Sequence, residues 1–227
     1  RIDNDFVRRD GRGRLSRASL KDEILATAVG AASTVVSMGD YLVAAGGTSV
    51  RFYDGAFTEV ASVELAGAVI SMCQSRGPEG APGVSIITKD ALAVCELRGA
   101  NGRLACIALG ACEVEQATCA SEFDELVAVA CGPSVHVVGW VNDGKSDEEW
   151  RLPSYDLRIL ASASTSATVT ALACTKNCVA VASEGHAVSV FSYHGGELQM
   201  VAVAEDPSVA RCLGFAGSQL ILGCDRY

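Results

Sequence analysis

The stretch VTALACTKNCVAVASEGHAVSVFSYHGGELQMVAVA, residues 169–204, contains four short runs in which apolar residues alternate with small or polar ones. Alternation with a period of two is typical of β-strands, because successive side chains point to opposite faces of a sheet. Residues 194–196, His-Gly-Gly, separate the last two runs with a turn signal. The stretch therefore predicts four consecutive strands joined by short turns.

The same pattern occurs elsewhere in the chain. Apolar runs begin at Tyr41, Val84, Leu126, Val179 and Leu220. Successive runs are separated by about 42 residues, except for one longer step of 53 residues. Most of these runs lead through a small polar or glycine-containing turn into a second alternating run. A strand, a tight turn and a second strand that recur at this spacing are the sequence signature of propeller blades.

These repeats predict an all-β fold of β-propeller blades that lack the Trp-Asp signature of WD repeats. Residues 31–227 are predicted to form about four and a half repeats, which make up a partial or fragmentary ring. The repeats come from one propeller or from more than one. Residues 1–30 are predicted to form a basic arm or linker. A two-sheet sandwich also has short alternating strands, but the nearly constant step favours the propeller. Strand pairs are expected at residues 34–38 with 41–46 and at 49–53 with 57–64.

The charge of the chain is uneven. The formal net charge is −9, yet residues 1–21 have seven basic side chains against three aspartates, a net of +4, so the remainder carries −13. An acidic body is a poor electrostatic match for nucleic acid. No apolar run approaches the length of about 18–20 residues that a bilayer-spanning helix needs, so no membrane association is predicted.

The basic start of the chain contains the candidates for phosphate contacts, Arg8, Arg9, Arg12 and Arg14. Arginine forms charge-assisted hydrogen bonds with phosphate oxygens. A short charged arm is also commonly a solvated linker, and this alternative is the favoured interpretation. RNA association is accordingly predicted to be indirect.

Ten cysteines are present, and most lie in or beside the predicted strands, next to Ala, Val or Leu. Free cysteine behaves as a small buried hydrophobe, so reduced thiols are predicted in preference to a disulfide framework. The closest pair, Cys174 and Cys178, has no second pair of ligands at the spacing of a structural zinc site. The alternation places these two residues in separate strands, and no metal site is predicted.

The sequence shows no pattern that predicts catalysis or cofactor binding. The three histidines are His136, His186 and His194, and no serine has the Gly-x-Ser-x-Gly surroundings of a nucleophile elbow. No dinucleotide or phosphate-binding glycine motif is present. We therefore predict a non-enzymatic protein without cofactor or small-molecule substrate. A propeller enzyme with a site in the central channel remains a remote alternative.

Two tryptophans flank an acidic segment at residues 142–150, which is expected to be a loop inserted into the third repeat. Trp140, Trp150 and Arg151 are candidate partner contacts, because exposed tryptophan and arginine are common anchors of protein interfaces. A tryptophan that covers the edge of a blade is an equally good interpretation.

Two stretches resemble a family of large multi-propeller scaffolds. The first begins with TVVSMGDYLVAAGG at residues 34–47 and continues through VISMC at 69–73 to VSIITKD at 84–90. The second runs from residue 169 to 227, where an acidic-x-Pro segment at 205–207 precedes an apolar strand and the motif GCDRY at 223–227. The family contains splicing factor 3b subunit 3, the large subunit of the damaged-DNA-binding complex and the largest subunit of the cleavage and polyadenylation specificity factor. The basic-aromatic pair looks most like the splicing factor 3b member.

The resemblance implies a nuclear, non-enzymatic scaffold for protein–protein assembly in the splicing factor 3b part of the U2 particle, active in pre-mRNA splicing. It also implies a helical-repeat subunit of a large complex as the main protein partner. A ubiquitin-ligase adaptor or a scaffold of pre-mRNA 3′-end processing are the alternatives within the family. Family members are several times longer, so the chain is either a short relative or a set of joined pieces.

Overall fold

The computed structural model describes residues 6–9, 15–18, 24–28, 32–78, 80–100, 103–123, 125–146, 153–205 and 209–224. These residues form six antiparallel sheets connected by turns and bends. Within these ranges no helix is long and apolar enough to cross a membrane. The predicted all-β fold of propeller blades is confirmed by the sheets described below.

The first sheet lies in the segment that was predicted to be a basic arm. Its three strands pair in the order β1-β2-β3. They are β1 Phe6–Arg9, β2 Leu15–Ala18 and β3 Ile24–Ala28. Antiparallel pairing satisfies the backbone of a short segment locally, which a charge pattern does not reveal. The segment thus contains three short strands by its backbone, and its assignment as a basic arm or linker at residues 1–30 stays a prediction.

Four complete blades follow, each a sheet of four strands that neighbour one another in chain order. Blade 1 consists of β4 Thr34–Met38, β5 Tyr41–Gly46, β6 Ser49–Tyr53 and β7 Glu59–Glu64. Blade 2 consists of β8 Ser71–Arg76, β9 Pro82–Ile87, β10 Ala91–Ala100 and β11 Arg103–Glu113. Blade 3 consists of β12 Ala117–Phe123, β13 Leu126–Cys131, β14 Ser134–Ser146 and β15 Pro153–Ser164. Blade 4 consists of β16 Val169–Thr175, β17 Cys178–Ser183, β18 Ala187–His194 and β19 Glu197–Glu205.

The last sheet has two described strands, β20 Ala210–Ala216 and β21 Gln219–Cys224, and is called the half blade below. The first turns of blade 1 and of the half blade are equivalent two-residue connections. Gly39 and Gly217 begin these turns with φ of +57° and +61°. Glycine adopts this left-handed backbone without steric cost, so both turns favour the tight hairpins that the repeat predicted.

The strand pairs predicted at residues 34–64 are confirmed, but the acidic insertion is placed differently from expectation. Residues 142–146 belong to β14 by their backbone, and Asn142 pairs with Tyr155 while Ser146 pairs with Pro153. The register shifts between these two pairs. A long hairpin therefore replaces the first half of the expected loop, because pairing with β15 satisfies backbone groups whatever the charge of the side chains.

The blades are arranged with their first strands adjacent. β4 contacts β8, β8 contacts β12, β12 contacts β16, and β16 contacts β20. The fourth strands form a second row, in which β7 contacts β11, β11 contacts β15, and β15 contacts β19. Successive sheets thus pack face to face and share an inner and an outer side, as propeller blades do.

Each pair of adjacent complete blades encloses a hydrophobic cluster. The cluster of blades 1 and 2 includes Phe52 and Ile86, that of blades 2 and 3 includes Leu92 and Val138, and that of blades 3 and 4 includes Val137 and Phe191. Each of these clusters has ten buried residues, whereas the cluster between blade 4 and the half blade has four. The blade-to-blade contact is therefore much smaller at the half blade.

The small residues of the repeats have a packing role at these contacts. On β13, Val127 and Val129 face blade 2, while Ala128 and Ala130 face blade 4. On β17, the valines at positions 179 and 181 pack against those alanines. A small side chain on one blade leaves room for a larger one on the next, which allows close packing at a narrow spacing.

Candidate functional site

The first candidate is a histidine–serine pair in blade 3. His136 on β14 lies directly opposite Ser162 on β15, and Nδ1 of His136 is 2.7 Å from Oγ of Ser162. A nucleophile and a base at this distance are two parts of a hydrolytic site, whose base is normally oriented by a third group. In the part of the chain that the structure describes, no hydrogen bond joins this imidazole to a carboxylate. The pair is thus a cross-strand hydrogen bond and not a complete catalytic site.

Acidification is expected to destabilise the fold through His136. Burial lowers the pKa of His136 below its ordinary value of 6.5. The unfolded chain then binds the proton more readily, so the contribution of His136 is fully present above the ordinary value and is lost as the pH falls below it. Melting temperatures between about pH 7.5 and 5.5 should fall less for His136→Asn than for the unmodified chain. Equal slopes for the two proteins would contradict this prediction.

All ten cysteines lie on strands, as expected from the alternation, and all are free thiols. Cys174 and Cys178 lie on separate strands, β16 and β17. Burial raises the pKa of Cys131 to about 11 and that of Cys174 to about 12, so these thiols stay protonated and unreactive at neutral pH. Among the described residues, no group of three or more His, Cys, Asp or Glu side chains could hold a metal ion.

Trp140 lies at the contact between blades 2 and 3. Its indole nitrogen donates a hydrogen bond of 2.9 Å to the backbone oxygen of Arg76, at the end of β8. Its ring covers Gly110, where an added Cβ would come within 2.8 Å of it. These contacts support the interpretation of Trp140 as a side chain that covers a blade. Its role as a partner contact stays a prediction.

The other candidate residues are placed only in part. Arg8 and Arg9 lie on β1 by their backbone. Arg12, Arg14, Trp150 and Arg151 are outside the described residues. The structure therefore does not bring the proposed phosphate contacts or the proposed partner contacts into one site, and these roles stay predictions.

Two shallow depressions lie at the ends of the strands. One, of about 290 Å³, is bordered by the ends of β4, β8 and β9, and Ser75, Arg76 and Glu122 are among its lining residues. The other, of about 370 Å³, lies at turns of blades 3 and 4, where Lys176 and His194 are among the lining residues. Both are lined by more polar than apolar groups, whereas small-molecule sites are mostly apolar. The depressions are shallow features of the protein surface at the ends of the blades.

A recurring β-bulge marks the outer strand of each complete blade. In all four blades the register shifts by one residue between the third and the fourth strand, and the unpaired residue is apolar. A bulge leaves one extra residue on its strand and increases the local twist. These four bulge residues are Val60, Leu109, Leu160 and Val201.

Two of the bulge residues pack toward the next blade, and a third packs on its own blade. Val60 packs against the cluster of blades 1 and 2, and Leu109 against the cluster of blades 2 and 3. Leu160 approaches Gly139, where an added Cβ would lie 2.8 Å from it. Val201 occupies the equivalent position of blade 4, but 58% of it is exposed. Among the described residues, Val201 thus has less cover than Val60 and Leu109 have.

The uncovered surface includes residues of two strands and is called the notch below. It consists of Val201, Ala202 and Ala204 on β19 and Leu222 on β21. Ala202 and Ala204 pair with Val190 and Val188, and Val188 packs toward the half blade. Leu222 lies on the same face of β21 as Leu220, which packs against the small cluster at blade 4. In the described part of the chain, β21 pairs with β20.

The notch was not predicted from the sequence. A signal was present, because each bulge residue is a Val or Leu followed by Ala or Gly, once in each of the four repeats. Nothing in a single sequence marks such a dipeptide as a bulge, however, since Val-Ala and Leu-Ala also occur within regular strands. Its meaning depends on the register between the third and fourth strands.

Comparison with known proteins adds information on the fold. No family model and no curated protein matches the sequence. The computationally designed Ika8 protein is similar in structure, with a TM-score of 0.69 and 18% sequence identity over 97% of this chain. A chain in the mitotic checkpoint complex is similar with a TM-score of 0.68 and 10% identity over 94% of this chain. The chain spans 65% and 66% of the lengths of these two proteins. At these identities the likeness concerns the fold alone.

Proposed function

We propose that the chain is a non-enzymatic scaffold for protein–protein assembly. The observation that carries this proposal is the set of propeller blades, a fold that suggests a protein-interaction scaffold. Of the eight large hydrophobic residues exposed in the described structure, five lie on β19 and β21. Adjacent residues of a strand, such as Ile221 and Leu222, point to opposite faces, so this exposed apolar surface lies on both faces of the strands and offers contacts for a protein partner.

The chemistry of the remaining surface agrees with a scaffold. Nine of the ten thiols are buried or half-buried, the His136–Ser162 pair lacks an orienting carboxylate in the described residues, and the depressions are shallow and polar. A propeller fold is typical of scaffolds without enzymatic activity. A propeller enzyme would need convergent acid, base or metal-ligating side chains near one cleft.

The proposed assembly is the splicing factor 3b part of the U2 particle, in the nucleus, with a helical-repeat subunit as the main partner. This choice rests on the resemblance of residues 34–90 and 169–227 to the multi-propeller scaffold family. The net charge of −9 agrees with a protein partner, because RNA would be repelled by the acidic body. A ubiquitin-ligase adaptor or a 3′-end-processing scaffold of the same family is the second proposal.

A pull-down from native extract tests this proposal. We expect the chain to recover U2-particle proteins with and without ribonuclease, and the recovery to survive moderate salt because the core of the interface is apolar. Binding to bare RNA should be weak, fall steeply with salt and decrease further when Arg8, Arg9, Arg12 and Arg14 are changed to Gln.

Three results would change the proposal. If ribonuclease abolishes all recovery, the chain binds RNA and the scaffold proposal fails. If ubiquitin-ligase or 3′-end-processing subunits are recovered instead, the family is correct and the chosen complex is wrong. If no protein is recovered above the level of an unrelated acidic control protein, no scaffold function remains.

A further inference from the structure

Two free cysteines lie beside each other on the third and fourth strands of blade 2. Cys95 pairs with Ala108 and Leu97 pairs with Cys106, so the two cysteines are diagonal neighbours on one face of the sheet. Cys95 is buried in the cluster of blades 1 and 2, and the half-buried Cys106 packs against that cluster. Their thiols are hydrogen-bonded to each other. The fold thus brings two reduced thiols into contact.

The two thiols differ in exposure and in acidity. The hydrogen bond from Cys95 lowers the pKa of Cys106 below its ordinary value of 9.0, against the opposing effect of burial. The same hydrogen bond, together with burial, raises the pKa of Cys95. The thiolate, which is the nucleophilic form, therefore forms on Cys106 at the more accessible of the two positions, while Cys95 keeps its proton.

From this arrangement we propose that Cys95 and Cys106 are a peroxide-reactive thiol pair that closes to a disulfide. The sulfur of Cys106 attacks one oxygen of a hydroperoxide, the O–O bond breaks, and Cys106 becomes a sulfenic acid while the hydroperoxide is reduced to an alcohol, or to water in the case of hydrogen peroxide. The sulfur of Cys95 then attacks the sulfenic sulfur, and the hydroxyl group leaves as water with the proton of Cys95. In total, two thiols lose two electrons and two protons, and one hydroperoxide accepts them.

The local backbone allows this bond to form. A disulfide needs Cα atoms about 4.4–6.8 Å apart, whereas diagonal neighbours in an antiparallel pair are typically about 7–8 Å apart, so the strands must approach by about 1 Å. The register of β10 and β11 shifts between Val94 and Cys95, which makes the ladder irregular beside the pair. A disulfide that forms with such an adjustment is also easier to reduce than an unstrained one, so the pair can act reversibly.

The proposal goes beyond the assembly function, because it concerns the chemistry of blade 2 and does not depend on any partner. The bond would join β10 and β11 covalently and draw Cys95 toward Cys106. Cys95 shares its cluster with Phe52 and Ile86, so oxidation would act on the contact between blades 1 and 2.

Treatment of the purified, fully reduced chain with hydrogen peroxide tests the proposal. Trypsin cleaves after Arg98 and Arg103 and so separates the two cysteines, and the disulfide then appears as a pair of linked peptides that dithiothreitol separates. We expect this linked pair to form before any other, with the loss of two hydrogens from the intact chain measured by mass spectrometry. Dimedone, which reacts with sulfenic acids, reports the intermediate.

Three variants assign the roles of the two thiols. Cys95→Ala removes the thiol that consumes the sulfenic acid, so dimedone should label Cys106 about tenfold more than in the unmodified chain. Cys106→Ser should give neither the linked peptides nor dimedone label on Cys95. Cys112→Ser is the matched control, because Cys112 is also half-buried on β11 but packs against the cluster of blades 2 and 3, and burial raises its pKa. This variant should form the disulfide as the unmodified chain does.

The outcomes are decisive in both directions. Oxidation of Cys106 no faster than that of Cys112, or oxidation of Cys106 without a bond to Cys95, would overturn the proposal. Melting temperatures in reducing buffer show whether the variants are folded. If Cys95→Ala is unfolded, the linked peptides of the unmodified chain and of Cys112→Ser, against their absence in Cys106→Ser, still decide the question. The purified chain alone is used, so failure here leaves the assembly proposal untouched, and failure of the pull-down leaves this proposal untouched.

Discussion

Replacement of Phe52 by Ala is expected to lower the free energy of unfolding by about 3–5 kcal/mol. Phe52 is fully buried in the cluster of blades 1 and 2, where Val84 and Ile86 from the neighbouring blade are also fully buried. Removal of the ring leaves a cavity between two sheets, and each sheet is held in place by its own hydrogen-bonded strands. The cavity can therefore collapse only in part, which places the cost in the upper range for large-to-small replacements.

Phe215 is the matched control for this experiment. It lies half-buried on β20 of the half blade, so Phe215→Ala should cost much less than Phe52→Ala. Chemical denaturation of the two variants and of the unmodified chain measures the difference. If both variants lose the same free energy of unfolding, the contact between blades 1 and 2 contributes no more than the incomplete sheet, and the description of the core is wrong.

Replacement of Trp140 by Ala is expected to cost about 3 kcal/mol or more in the free energy of unfolding. The variant loses the packing of the ring on Gly110 and the hydrogen bond to the backbone oxygen of Arg76. Trp140→Phe keeps an aromatic ring but loses the hydrogen bond and part of the ring packing, so its cost should lie between about 1 kcal/mol and that of Trp140→Ala. Thermal or chemical unfolding of both variants measures these costs.

The same variants distinguish the two interpretations of Trp140 that the sequence left open. A side chain that covers a blade contributes to stability, and partner recovery then falls only as far as the fold is lost. If Trp140→Ala keeps the melting temperature of the unmodified chain and reduces recovery of the protein partner, Trp140 is a partner contact. That result would contradict the blade-covering interpretation.

The strands of blades 1 and 4 illustrate how much of the fold could be predicted from the sequence. Residues 34–38 and 41–46 were predicted as paired strands and form β4 and β5 with these bounds. The turn at residues 194–196 was predicted between the last two runs of the fourth repeat, where β18 ends and β19 begins. Both predictions depend on the period-two alternation and on glycine, which act within a few residues of the chain.

The acidic insertion and the first sheet show where such reasoning was insufficient. Residues 142–146 have the composition of a loop, yet they extend β14 because β15 offers them backbone partners. The strands β1 to β3 lie in a segment rich in arginine, which composition alone assigned to a linker. In both cases the strand is stabilised by pairing with a neighbouring strand, and a side-chain pattern does not report this pairing.

The sequence by itself determined the class of fold, the repeat and the placement of the cysteines in strands, because each depends on local periodicity. Only the tertiary structure decided that Trp140 packs between two blades, that the fourth strand of each complete blade has a bulge, and that Val201 alone among the bulge residues is largely exposed. These features depend on which blade faces which, and on the register between third and fourth strands. Contacts between residues that are distant in the chain set both, so the notch could be recognised only when equivalent positions of the four blades were compared in space.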